Sequence, residues 1–159
     1  MKAPLFLVVG VALSAIGLSS QTRPMIVVQP FSTATDVVLP YDLKQLQGQL
    51  VAEFRVMLGK QFEFVAEAPA APQSTVYTLD AQITGWRPGN AAKRLLVGMG
   101  SGREASDVAY HVTNSSGTKV LEGKDTIRTN FYSQGASTGT LAHPIAQKIA
   151  ERIKDARLN

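Results

Sequence analysis

The chain has 159 residues and no cysteine. That single absence removes a disulfide framework, a thiolate metal site and a cysteine nucleophile. It also removes a lipid anchor carried on cysteine. Histidine is nearly as scarce, with two residues. A zinc centre needs three or four ligands at supporting spacings, and neither His111 nor His143 has a ligand-type neighbour at i+2 or i+4. Basic residues exceed acidic ones, 16 against 12. They are scattered rather than blocked, so nucleic acid is not an expected partner. Gly-Lys-Ser/Thr is missing, which leaves no Walker loop. There is no internal repeat. A domain of this size buries roughly two thirds of its unfolded surface, so it can fold without staples.

What is present begins with an ordered N-terminus. Lys2 precedes the apolar run Leu5 to Leu18, and Ser19-Ser20-Gln21 follows. This is the charged, apolar and small-residue order of a secretory signal peptide. The run is shorter than the about 20 apolar residues that span a bilayer. Cleavage after Ser20 leaves a mature chain of 21–159, and cleavage after Ser19 leaves one residue more. The expectation is therefore a signal peptide over 1–20, one α/β domain over 21–159, and a periplasmic or secreted location.

Along the mature chain, Met25-Ile26-Val27-Val28 reads as a buried strand, and 32–40 as a polar connection. Leu43, Leu46, Leu50, Phe54, Met57 and Leu58 line one face at helical period. Asp42 and Gln45 resemble a capping box, and Gly59 is a C-terminal stop able to turn left-handed. Phe62 to Val65 resumes alternation, and 66–74 is a loop carrying Pro69 and Pro72. Tyr77, Leu79, Ala81 and Ile83 alternate with polar partners as a half-buried strand, broken by Gly85-Trp86-Arg87-Pro88-Gly89-Asn90. Val108, Tyr110 and Val112 alternate in another. Asn114-Ser115-Ser116-Gly117 is turn chemistry, and 120–129 returns as one or more strands of an antiparallel hairpin, with Gly123 as a candidate bulge. Ala142, Ile145, Ala146, Ile149, Ala150, Ile153 and Ala156 form a final helical stripe, with Pro144 in its first turn. The fold expected is α/β (α+β): one mixed sheet in the order β-α-β-β-β-β-α, with two helices packed on one face.

One segment stands apart. Gly89-Asn90-Ala91-Ala92-Lys93-Arg94-Leu95-Leu96-Val97-Gly98-Met99-Gly100-Ser101-Gly102 joins two cations to an apolar run and then three alternate glycines. It does not fit a Rossmann loop, which has two residues between its second and third glycines, where this run has one, and which joins a strand to a helix. Two readings stay open. In one, the apolar residues fill the core edge and the glycines permit a tight bend. In the other, Lys93, Arg94, Leu95, Leu96, Val97, Gly98, Met99, Gly100 and Gly102 form an interaction segment.

This stretch also resembles the signature of an uncharacterised bacterial envelope family, domain of unknown function 4410. There, a Gly-Asn/Ser-x-x-x-Arg stretch runs into a Gly-Phe-Gly-x-Gly loop, followed by a strand and a Gly-Lys turn. Met99 stands where an aromatic is usual, and Gly117-Thr118-Lys119 replaces the simpler Gly-Lys. The resemblance extends from about Met25 to the last helix. It implies an exported protein and brings no activity, catalytic residue or cofactor.

Remaining candidate chemistry is thin. Asp80 and Asp107 lie on polar strand faces and could approach as a carboxylate pair if their strands are neighbours. His111 lies on the polar face of its strand, and Trp86 beside Arg87 could stack on a sugar. The leading expectation is a non-enzymatic envelope protein, without cofactor or metal, that binds a protein partner or a second copy of itself. The alternatives are a small hydrolase of wall or saccharide substrates using Asp80, Asp107 and His111, and a peripheral membrane protein docking through Leu95–Met99.

Overall fold

The computed structural model describes residues 22–40, 42–72, 74–89, 104–128 and 141–158. The expected export segment, 1–20, lies outside them. The elements in chain order are β1 (Met25–Val28), β2 (Ser32–Thr33), α1 (Leu43–Leu58), β3 (Glu63–Val65), β4 (Val76–Arg87), β5 (Ala105–Asn114), β6 (Lys119–Arg128) and α2 (Ala142–Ala156). The expected order is present, with one added strand.

α1 starts where Asp42 accepts hydrogen bonds from the backbone N–H of Lys44 and Gln45, at 2.7 and 3.0 Å. These satisfy two of the donors that a helix start leaves open. The stop differs from expectation. Gly59 stays right-handed, at φ −62°. Among the described residues the left-handed positions are Gly117, at φ 78°, in the β5–β6 turn and Arg157, at φ 47°, closing α2.

The sheet runs β3-β1-β4-β5-β6, with β2 also on β4. β1 is parallel to both its neighbours, and β4, β5 and β6 are antiparallel. A strand enclosed on both sides by parallel partners is expected to be apolar throughout, and all four residues of β1 are buried. β2 falls inside the expected polar connection, 32–40. Its two residues pair with Gln82 and Ile83, and Phe31 beside it is buried.

Tyr77, Leu79, Ala81 and Ile83 of β4 stand opposite Asn114, Val112, Tyr110 and Val108 of β5. Their alternation places them on one face. There they join Ile26, Val28 and Phe64 in a single apolar cluster with Leu46, Leu50 and Phe54 of α1 and Ile145, Ile149 and Ile153 of α2. Phe54 stacks on Phe64 with ring centroids 5.1 Å apart. Gln47 is the one polar side chain that α1 buries. Its amide donates to the Val28 carbonyl at 2.7 Å, so the helix caps a strand-end acceptor that would otherwise be buried unmet.

Two local expectations are corrected. β4 does not break at Gly85: a register shift between Ile83 and Gly85 absorbs the irregularity, and pairing continues to Arg87. Gly123 is not a bulge. It pairs in register with Tyr110, and a Cβ there would lie 2.5 Å from the Tyr110 ring. The glycine leaves the space that the ring fills.

Candidate functional site

The register sorts the connections by end. β1, β3 and β4 begin together, since Met25 pairs with both Glu63 and Val76. At the other end, Arg87 pairs with Ala105, and Ala105 with Arg128. Residues 90–103 and 129–140, the two long connections of the second half, therefore leave from adjacent strand ends on one side of the sheet. The sequence-read interaction segment Lys93–Gly102 lies outside the described residues, but both its roots are described.

Those roots are pinned by polar contacts. Arg87 Nη1 and Nη2 donate to the Asp107 carboxylate at 2.8 and 3.0 Å, the bidentate geometry that fixes orientation as well as charge. Thr126 Oγ1 donates to the same carboxylate at 2.6 Å. Asp107 on β5 thus ties together β4, β5 and β6. The Arg87 hydrogen bond, seconded by that of Thr126, holds the Asp107 carboxyl below its usual range, and Arg87 is pushed up in turn. Trp86 Nε1 donates to Glu104 Oε1 at 2.9 Å, joining the last turns of chain before and after the segment. Neighbouring residues of a strand face opposite ways, so Trp86 and Arg87 serve the two faces separately and do not form a joint stacking platform.

The carboxylate pair is not assembled. Asp80 is opposite His111, four residues from Asp107 along β5, a separation of roughly 13 Å at strand rise. Asp80 instead lies 3.7 Å from His111 Nε2. Glu122 follows in the same row on β6, and Lys119 holds its carboxyl below the ordinary range. This row lines an open cavity of about 770 Å³ with Gln82 and Lys124. His143 is elsewhere, 2.8 Å from Glu53, bridging the helices. Among the described residues no three His, Asp or Glu side chains are placed to hold a metal, and no helix is long and apolar enough to cross a membrane.

A cluster not legible in the sequence sits at the edge of the helix face. The buried Tyr110 hydroxyl donates to Asp125 Oδ2 at 2.6 Å, and Arg152 of α2 reaches Asp125 Oδ1 at 3.2 Å. Burial opposes the charge on Asp125. The hydrogen bonds from Tyr110 and Arg152 outweigh it and hold the carboxyl below its usual range. Burial, then the bond to Asp125, pushes the Tyr110 hydroxyl well up.

An open mixed sheet with two helices on one face, whose long connections emerge together at one end, defines a small α+β domain. The chain belongs to the family described as domain of unknown function (DUF4410), which matches residues 35–140. No curated protein matches it. Among solved structures it is similar to a PelC dodecamer from Paraburkholderia phytofirmans, at 14% identity over 79% of this chain and 86% of that one, with a TM-score of 0.52. It is also similar to a DUF330 protein from Xanthomonas campestris, at 13% identity over 80% of each chain, TM-score 0.48. A third is a homolog of a neuraminyllactose-binding hemagglutinin from Helicobacter pylori, at 10% identity over 86% of this chain and 90% of that one, TM-score 0.45. At such identities the PelC likeness shows a shared fold.

Proposed function

We propose that the protein is a non-enzymatic assembly domain of the cell envelope, exported through residues 1–20, that binds further copies of itself or a protein partner through the end of the sheet from which 90–103 and 129–140 emerge. The observation that carries this is the Arg87–Asp107–Thr126 tie. It ties three strands together at the roots of a segment rich in apolar and cationic residues, and a stiff platform beneath a binding loop lowers the ordering cost of association. The fold shared with a PelC dodecamer supports self-association as the first mode. The charged, apolar and small-residue order of 1–20 supports export and a periplasmic or secreted destination.

Light scattering on the purified protein tests the reading. The wild type should run as an oligomer, and deletion of 93–102 should yield a monomer with an unchanged far-UV spectrum and melting transition. A wild type that stays monomeric and retains no envelope protein in affinity purification overturns it. N-terminal sequencing of the protein from fractionated cells should begin at Ser20 or Gln21. An intact Met1 in the cytoplasm removes the export half.

A further inference from the structure

The opposite end of the domain has a different character. Two neighbouring cavities of about 690 and 770 Å³ open there, and they share Arg23, Lys60, Gln61 and Phe62. Arg55 and Lys154 also line the first, and Arg157 the second. Arg23 donates to the Gly59 carbonyl and Arg55 Nε to the Phe64 carbonyl, the latter at 2.8 Å. None of these five cations forms an ion pair with a described residue; elsewhere Arg87, Lys119, Lys148 and Arg152 do, and Lys44, Lys124 and Arg128 do not.

The C-termini of α1 and α2 converge here, and cations complement helix C-termini. That accounts for only part of the cluster. Two helix ends supply roughly one negative charge between them, and Glu63 is the one acid among the lining residues. About three positive charges remain uncompensated. An apolar element lies among them: Val56 is 85% exposed and lines the same cavity, beside the half-buried Met57. Cations around an exposed apolar side chain are the make-up of a surface that rests on headgroups and dips into the acyl boundary.

The chain enters at this end. Thr22, Arg23 and Pro24 line the second cavity, and only Ser19, Ser20 and Gln21 separate Thr22 from the apolar run ending at Leu18. If that run enters a bilayer as an export segment does, this end of the domain lies beside the headgroups. β4 spans twelve residues, so the roots of 90–103 stand roughly 35 Å away at strand rise.

We propose that the end formed by Arg23, Arg55, Lys60, Lys154 and Arg157 docks on a bilayer of anionic phospholipid, and so turns the assembly end away from the membrane. This goes beyond the assembly reading and rests only on its export half. Headgroup attraction near a surface corresponds to about fivefold in affinity per cation.

The test is sedimentation of the mature protein, recovered from fractionated cells after loss of the apolar run, with vesicles of phosphatidylcholine alone or mixed with phosphatidylglycerol. K60Q/R157Q should bind phosphatidylglycerol vesicles about 25-fold more weakly than wild type, with no change on phosphatidylcholine. K44Q/K124Q, which removes the same charge elsewhere, should bind as wild type. Matching melting curves establish that both variants fold. Equal affinity of wild type and K60Q/R157Q, or an equal loss in K44Q/K124Q, overturns the proposal. So does stabilisation by inorganic phosphate without preference for phosphatidylglycerol, which assigns the cleft to free phosphate. Light scattering on the same samples separates the two readings: a monomer that still prefers anionic vesicles removes the assembly function alone.

Discussion

Replacing Tyr110 by phenylalanine isolates one hydroxyl in the cluster that joins β5, β6 and α2. The ring stays over Gly123, so packing is conserved. What disappears is the 2.6 Å hydrogen bond to Asp125. A hydrogen bond to a charged group contributes about 1.5–3 kcal/mol. Asp125 has a side chain only 14% exposed, so water replaces the donor poorly and the loss at neutral pH should fall in that range.

The dependence on pH gives the prediction its shape. Asp125 has a folded pKa below its unfolded value, so its contribution is complete above the unfolded value of about 3.9 and is lost as pH falls through the folded one. The Tyr110 hydroxyl has a folded pKa raised above its unfolded value of about 10. Its contribution is complete below about 10 and is lost as pH rises towards the folded value. The wild-type advantage over Y110F should form a plateau between these limits and shrink on both sides. Urea titrations of both proteins across the pH range measure it, with the slope unchanged and the midpoint shifted. A difference that stays constant from acid to alkaline pH, or is absent at neutrality, refutes the assigned network.

Asp42→Ala removes the side chain that caps α1 and should cost about 1 kcal/mol in urea unfolding. Leu50→Ala empties a fully buried site between α1 and the sheet, with an expected loss of about 2–5 kcal/mol in the same assay. Gly123→Val drives a side chain into the Tyr110 ring and should cost about 1–3 kcal/mol; a double-mutant cycle with Tyr110→Ala should recover most of it. Asp107→Asn keeps the shape of an exposed ion pair, so stability should change by less than about 1 kcal/mol, while oligomerisation measured by light scattering should weaken.

The helices and the core were legible because their signal is local. Leu46, Leu50 and Phe54, and Ile145, Ile149 and Ile153, each lie within one segment, and their spacing alone places them on one face. Asp42 could be read as a cap for the same reason. The misreadings concern residues whose conformation is decided by a distant strand. Gly85 looks like a break until Arg87 is seen bonded to Asp107 twenty residues on. Gly123 looks like a bulge until Tyr110 is placed opposite. Ser32-Thr33 is too short to carry a period, and its strand exists because β4 continues past β1 and offers an edge. The same limit governs the site. Asp107 invited pairing with Asp80, and only the register assigns it to Arg87 and Thr126.

The interior position of β1 has a consequence for how the molecule comes into being. Its partners are Glu63–Val65 and Val76–Leu79, both far downstream. Contacts of such separation form late, because the intervening chain must be closed first. A nascent chain that has grown only as far as α1 has neither flank of that strand to settle against. The stretch made earliest is stitched in among later ones, and the core it faces closes only when Ile145, Ile149 and Ile153 of the last helix have been synthesised.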